Sequence, residues 1–189
     1  MPGRGGRSDA QRNHEIILRA AAEVLAEDPA ASMDDIVARA GLGRATMYRH
    51  VTGRADLLRQ LAGWALASAT RAIEQADVED GPAGAALRRV LDGLAAESAG
   101  FRALLVLGVP RAPDFEPALD VVLAPVVALI RRGSEEGAFR SDLDPAWATT
   151  ALVTLLQAAV AGARPNPAQL VWGTLIEGWR PVVTGMPLD

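Results

Sequence analysis

The chain contains no cysteine and no lysine, and aromatic residues make up only 4% of its 189 residues. The lack of cysteine excludes disulfide bonds, thiolate metal sites and cysteine nucleophiles. All 19 basic residues are therefore arginines, whose planar guanidinium groups can bind phosphates and base edges through paired hydrogen bonds. A GC-rich codon bias would explain the same arginine content, together with the abundant alanine and glycine. The positions of the arginines are therefore more informative than their number.

Long uncharged runs are also scarce, with one exception. Residues 145–163 carry no charge over 19 residues, which is long enough for a membrane-spanning helix. Three threonines, Gln157, Gly162 and a leading proline interrupt this run, so a helix buried in protein or at a subunit interface fits better. The N-terminal arm is short and basic and lacks the apolar core of a signal peptide. We expect a globular cytoplasmic protein without a membrane segment.

Residues suited to catalysis are few. The chain has two histidines: His14 at the start of the first predicted helix and His50 in a basic segment. The acidic residues scatter over predicted solvent faces, and the sequence holds neither a glycine-rich phosphate loop nor a cluster with metal-ligand spacing. We predict no catalytic residue, no metal site and no cofactor.

Helical periodicity dominates the chain, and no stretch alternates with the period of two that a strand requires. Ser8 or Asp9 can cap a first helix that Pro29 ends, and Ser32 with Asp35 forms the start signal of a second. After two helices around residues 43–51 and from 54 onward, further helices are predicted at 82–100, 101–109, 115–137, 145–162 and 168–183. Pro125 should kink one of them unless neighbours compensate. The predicted fold class is all-α.

The segment GLGRATMYRHVTGR, from Gly41 to Arg54, concentrates hydrogen-bond donors around the only tyrosine. Gly41 separates two short predicted helices and can adopt the left-handed conformation of a tight helix exit, which is the plan of a helix-turn-helix motif. The apolar residues that would join the two helices are Ile36, Ala40, Leu42 and Met47. The outer face and flanks of the second helix would then present Arg44, Ala45, Thr46, Tyr48, Arg49 and His50.

Charge is distributed unevenly around this motif. Residues 39–59 hold five arginines and one acid, a balance of +4, whereas residues 60–189 hold 10 arginines and 15 acids. A basic window in an acidic chain indicates a local site for a polyanion.

These segments resemble the DNA-binding domain of TetR-family transcriptional regulators over roughly residues 10–60. The resemblance rests on IILRAAAEVLAED followed by SMDDIVARAGLGRATMYRHVTGRADLL. A weaker similarity, EEGAFRSDLDPAWAT, precedes the last two helices. Val51 stands where most members carry Phe, and Gly43 replaces the usual Ser or Thr cap, which costs little stability. The positions that fall at family spacing are Gly41, Thr46, Tyr48, His50, Arg54, Leu57 and Leu58.

The resemblance implies an all-helical homodimer of about nine helices per subunit. It implies a DNA-binding domain at residues 1–53, a ligand-binding and dimerisation body at 54–189, and a double-stranded DNA operator and a small-molecule effector as partners. Arg44 could contact guanine and Ala45 a thymine methyl group, and by family analogy Tyr48 and Arg54 would bind the DNA backbone. Two alternatives stay open: the Tyr48 ring could stabilise the small domain, and His50 could pack against the first helix.

The expected effector is largely apolar, because few polar groups could orient it. The candidate pocket residues are Trp64, Phe101, Leu104, Phe115, Leu119 and Trp147, with Gln157 as a polar group that could orient a ligand. Ordinary core packing is the simpler explanation for each of the apolar residues. The last two helices are apolar around much of their circumference, which predicts an isologous dimer interface. Its candidate residues are Leu152, Leu156, Ala159, Trp172, Ile176 and Trp179. The competing hypothesis is a helical protein-binding adaptor whose basic head binds an acidic partner.

Overall fold

The computed structural model describes residues 5–108 and 115–180, without the side chains of residues 5–8, 99 and 177. Within these ranges the backbone forms nine helices and no strand, and the all-α prediction is confirmed. The helices are α1 (Gly5–Glu27), α2 (Met33–Ala40), α3 (Arg44–His50), α4 (Arg54–Gln75), α5 (Ala83–Ala96), α6 (Ser98–Val106), α7 (Phe115–Glu135), α8 (Pro145–Ala161) and α9 (Pro167–Trp179).

The residues at the two ends of α2 adopt the capping and turn geometry that the sequence predicts. The backbone N–H of Asp35 donates to the hydroxyl of Ser32 at 3.2 Å, and the backbone N–H of Ser32 donates to the Asp35 carboxylate at 2.8 Å. This reciprocal capping box satisfies two amides that the helix itself leaves unpaired. Gly41 ends α2 with φ 65°, the left-handed conformation that turns the chain toward α3.

The start of α1 and the break between α5 and α6 differ from the sequence prediction. α1 begins at Gly5 rather than at Ser8 or Asp9, and the break expected between residues 100 and 101 lies at Glu97, between α5 and α6. No proline or positive-φ glycine marks this break. Gly100 lies against the indole of Trp64, where an added Cβ would come within 2.7 Å of the ring. Gly100 thus allows α6 to lie close against α4, which carries Trp64. α7 continues through Pro125.

The described chain divides into two compact units. The first contains residues up to Ser68 together with Glu97–Pro117, and within it α1 packs against α2 and α6. Its core is apolar, and its fully buried large side chains are Ile17, Leu18, Leu25, Ile36, Met47, Leu57, Leu61 and Leu104. This core is the scaffold on which α2 and α3 are held. The domain boundary predicted after residue 53 stays a prediction.

The second unit contains Ala69–Ala96 and the described residues from Ala118 onward. In it α9 packs against both α8 and α5. The Trp179 ring meets the edge of Phe139 at a centroid distance of 6.1 Å, and the Trp179 carbonyl accepts a hydrogen bond from the backbone N–H of Arg140 at 2.8 Å. The C-terminal end of α9 is thereby joined to the connection between α7 and α8. Among the described helices, none has the length and apolar character needed to cross a bilayer.

Candidate nucleic-acid interface

The helix-turn-helix motif formed by α2, the turn at Gly41 and α3, called the recognition motif below, separates apolar and polar side chains between its two faces. Ile36 of α2, Met47 of α3 and Val51 after it are fully buried. α3 begins after Gly43, which provides no side-chain cap. The Gly43 carbonyl accepts the first hydrogen bonds of the helix, from the backbone N–H of Thr46 at 2.9 Å and from that of Met47 at 3.1 Å. The exposed residues of α3 are Arg44, Ala45, Tyr48 and Arg49, and Thr46 and His50 are half-buried. The structure thus places the predicted donors outside the core.

Arg44 forms an ion pair across the motif. Its guanidinium donates to the carboxylate of Asp34, in the first turn of α2. Both side chains stay open to solvent, with 68% of Arg44 and 52% of Asp34 exposed. Sequence patterns did not point to this partner, since a separation of ten residues becomes a contact only when the turn at Gly41 folds the two helices together.

Arg49 is held by its own helix. Its guanidinium donates to the hydroxyl of Thr46 at 3.0 Å, one turn earlier. The hydroxyl of Thr46 can still donate its own hydrogen to another acceptor. Arg49 and Thr46 therefore form a linked pair of donors on one side of α3.

Tyr48 and His50 have different environments. Tyr48 is 49% exposed, which leaves much of its ring and hydroxyl open. His50 is half-buried, and its ring lies 5.8 Å from that of His14 of α1, so it packs against the first helix as the alternative hypothesis holds. Burial lowers the pKa of His50 below its usual value, and the charges of His14 and Arg49 lower it further. His50 is therefore predominantly neutral at neutral pH.

Arg54 has partners that the sequence does not indicate. Its guanidinium donates to the backbone carbonyl of Ala31 at 2.6 Å and to that of Pro29. These bonds connect the first residue of α4 to the segment between α1 and α2. The predicted phosphate contact would have to use the remaining N–H groups of a half-buried side chain. Backbone carbonyls occur at every residue, so no sequence pattern could distinguish the two sets of partners.

A small hydrogen-bond network fixes the connection between α3 and α4. The Asp56 carboxylate accepts from the backbone N–H of Thr52 at 2.8 Å and from the side chain of Gln60 at 3.1 Å. These bonds lower the pKa of Asp56, with that from Thr52 the larger cause. Gln60 also donates to the carbonyl of His50, the last residue of α3, at 3.0 Å. The network thus holds the end of α3 against α4. Its signal in the sequence is a Thr followed by an Asp four positions later.

Comparison with known proteins shows the family to which this helix-turn-helix segment belongs. The family described as bacterial regulatory proteins, tetR family, matches residues 17–61. The HTH-type transcriptional repressor LfrR of Mycolicibacterium smegmatis is 36% identical over 157 residues, which cover 82% of this chain and 80% of LfrR. The chain belongs to the TetR family of transcriptional regulators.

Two further comparisons agree with this assignment. The HTH-type transcriptional regulator NfxB of Pseudomonas aeruginosa is 27% identical over 161 residues, covering 82% of this chain and 84% of NfxB. The crystal structure of LfrR from Mycobacterium smegmatis in complex with proflavine has a TM-score of 0.74 at 31% identity, covering 92% of this chain and 98% of that one. The TetR-family similarity therefore extends well beyond the recognition motif.

The candidate pocket residues lie in both units of this TetR-family chain. In the first, Trp64 packs on Gly100, and Phe101 meets the edge of Phe115 at a centroid distance of 6.5 Å. Leu104 is fully buried in the same unit. In the second, Leu119 and Gln157 are half-buried. Trp147 also belongs to the second unit but is 65% exposed, so its ring is a poor wall for an enclosed ligand.

Most of the candidate dimer residues are already covered by their own chain. Five of them are buried within the single subunit: Leu152, Leu156, Ala159, Ile176 and Trp179. Trp172 is half-buried, with the guanidinium of Arg88 lying 5.6 Å from its ring centroid. The apolar area that stays open on α8 and α9 belongs instead to other residues, among them Trp147 of α8, which is 65% exposed, and Leu170 of α9, which is 48% exposed. The sequence could not separate the two sets because both helices are apolar on most sides.

Proposed function

We propose that this TetR-family regulator represses transcription by binding a pseudo-palindromic operator as a homodimer, and that a small, largely apolar effector releases it. The observation that carries the proposal is the division of α3, which buries Met47 and exposes Arg44, Tyr48 and Arg49. A helix that enters the major groove needs donors on its outer face and an apolar inner face to hold it in place. The name of LfrR, a transcriptional repressor, supports the direction of regulation.

The exposed residues of α3 can be assigned by their chemistry. Arg44, at the N-terminal end, would donate two hydrogen bonds to O6 and N7 of a guanine, and the methyl group of Ala45 would contact a thymine. The hydroxyl of Tyr48 and the linked donors of Thr46 and Arg49 would bind phosphate oxygens, which fix the helix in the groove. His50, packed against α1, would support the motif and contribute at most a single donor.

The dimer would form through α8 and α9. Next to the exposed Leu170 lies a groove of about 290 Å³, also lined by Leu155, Ala158, Arg164 and Thr174. A second copy related by a two-fold axis would cover the same groove on both subunits. Two motifs held at a fixed separation would then fit successive half-sites of a pseudo-palindrome, about one helical turn or somewhat more apart.

The effector would release the operator because effector binding and operator binding favour different arrangements of the dimer. α4 contributes residues to both units, and a ligand that favours one arrangement of α4 would favour dimers with the wrong separation between motifs. Trp64 packs on Gly100, the residue before Phe101, and the Phe101 ring meets that of Phe115. These three rings, the aromatic cluster of the first unit, support an apolar effector. The proflavine complex of LfrR makes a planar aromatic molecule the first probe.

DNA binding is tested by gel shifts with genomic operator fragments at rising salt concentration. A nucleic-acid site loses affinity steeply, because each neutralised phosphate releases counterions. The acidic-partner hypothesis requires instead that the protein fail to retard any duplex at low salt. A footprint with two protected half-sites would support the dimer, and a single protected segment would count against it.

Effector binding is tested by titrating proflavine while tryptophan fluorescence and operator release are measured. Trp64→Leu should abolish both responses, because Trp64 belongs to the aromatic cluster. Trp147→Leu is the matched control, and it should leave both responses unchanged because Trp147 is 65% exposed. The reverse pattern would move the pocket away from Trp64.

A further inference from the structure

We propose that Asp34 is a positioning residue that sets the base preference of Arg44. The inference rests on the proposed function, since it assumes that Arg44 contacts a base. The observation behind it is the ion pair between these two side chains, which joins the first turn of α2 to the first residue of α3. Asp34 thus acts on the operator through Arg44.

The pair differs from the other contacts of the basic window. In the described structure Arg39 is bound by Glu23 and Glu27 of α1, while Arg49 bonds within α3. Arg44 is held by a carboxylate from the other helix of the motif. The ion pair thus restrains the Arg44 side chain from outside its own helix, whereas Arg49 is restrained only within α3.

The geometry leaves Arg44 available to DNA. The Asp34 carboxylate occupies an N–H at one terminal nitrogen of the guanidinium, and a guanidinium carries five N–H donors. With 68% of the Arg44 side chain exposed, the remaining donors can reach the paired acceptors of a guanine. Arg44 would otherwise lose much of its rotamer freedom on binding, so a carboxylate that restricts the side chain beforehand favours the one base that suits this orientation.

The negative charge of Asp34 further increases the base preference. A carboxylate beside the DNA repels phosphates whatever the sequence, so it weakens binding to every duplex. Its hydrogen bond helps only at the site where Arg44 finds a guanine. Specificity is the difference between these two affinities, and Asp34 raises that difference while it lowers the affinity for non-specific DNA.

The test compares the full-length protein with Asp34→Asn, which keeps the shape and removes the charge. Affinities are measured for a preferred operator and for operators changed at each position of the half-site. We expect the preference at one position to fall by about two- to fivefold, in line with the strength of an exposed ion pair. Asp34→Glu should recover most of it. Glu15→Gln removes an equal charge from an exposed acid of α1 and should leave the preference unchanged.

Asp34→Asn is measured both in the wild-type protein and in Arg44→Ala, so that this inference can be tested separately from the proposed function. In Arg44→Ala, adding Asp34→Asn should change no preference further. If Arg44→Ala relaxes one position but Asp34→Asn does not, the inference is overturned and the base-reading role of Arg44 survives. If Arg44→Ala weakens all operators equally, the base-reading role itself fails. A rise in preference with Asp34→Asn would show that Asp34 competes for Arg44, and would also overturn the inference. Circular dichroism melting confirms that each variant is folded.

Discussion

The recognition helix α3 and the helix pair α8–α9 distribute their apolar residues in opposite ways. α3 has one buried residue, Met47, among polar neighbours, so its sequence alone indicates which side faces the core. α8 carries no charge, and its sequence does not indicate a single inner face. Burial inside the subunit and burial against a partner are driven by the same removal of apolar area from water. A sequence can therefore locate a polar binding surface more precisely than an apolar one.

The largest expected effect distinguishes the apolar residues of α8 and α9 that are buried within one subunit from those that stay exposed. Leu152→Ala should cost about 2–5 kcal/mol of the free energy of unfolding, since Leu152 is fully buried and leaves a cavity. Leu170→Glu should leave each subunit folded but shift the dimer toward monomer and abolish operator binding. Denaturant titration and sedimentation measure the two quantities.

A matched control strengthens that contrast. Val106→Glu introduces the same charge at another exposed apolar residue, on α6, and should keep the dimer. A wild-type protein that sediments as a folded monomer at micromolar concentration would contradict the interface, and so would a Leu170→Glu variant that stays dimeric.

The next effect separates two arginines of the basic window. Arg54→Ala should lower the free energy of unfolding by about 1.5–3 kcal/mol, because charge-assisted hydrogen bonds to the carbonyls of Ala31 and Pro29 are lost. Arg44→Ala should melt almost as the wild type does, since its ion pair is exposed. Thermal melting of both variants provides the comparison. If Arg54→Ala instead keeps its stability and lowers the salt slope by about one per subunit, Arg54 is a phosphate contact.

A comparable effect on DNA distinguishes the residues of α3 from one another. Arg44→Ala should cost roughly 1–3 kcal/mol of binding free energy and relax one position per half-site, whereas Tyr48→Phe should weaken all operators alike. Quantitative gel shifts with a set of single-base operator variants measure both patterns. Tyr48→Phe keeps the ring, so a lower melting temperature with unchanged DNA affinity would assign Tyr48 a structural role.

The smallest expected effect concerns the histidine pair. Burial, followed by the charge of His14, lowers the pKa of His50 below 6.5, so the unfolded chain binds more protons than the folded chain as the pH falls below that value. The contribution of His50 is therefore fully present above about pH 6.5 and is lost as the pH falls through the folded pKa. Melting from about pH 8 to about pH 5 should show this loss.

Two variants test the cause. His50→Gln should remove this part of the pH dependence, and His14→Gln should reduce it only in part, because burial remains the larger cause. An unchanged profile in His50→Gln would assign the pH dependence to other groups.

Much of the recognition motif could be predicted from the amino-acid sequence. The capping pair Ser32 and Asp35, the left-handed Gly41 and the inward Met47 all follow from local chemistry, and the structure shows each of them. The partners of Arg44 and Arg54 could not be predicted, because Asp34 and the carbonyls of Pro29 and Ala31 come into reach only after the helices have packed.

Contacts between distant residues also limit what the sequence predicts for the rest of the protein. Gly100 of α6 lies against Trp64 of α4, a contact that no local pattern indicates, and Trp147 is exposed although its aromatic ring suggested a pocket wall. Such outcomes depend on residues far away in the chain.

The sequence by itself determined the helical class, the position of the helix-turn-helix motif and its family, because capping, turn geometry and periodicity act between near neighbours. Only the tertiary structure decided which arginine donates to backbone carbonyls and which pairs with an exposed carboxylate, and which apolar residues a single subunit already covers. Ion pairs, carbonyl contacts and burial join segments that are distant in sequence, so they exist only once the helices have packed.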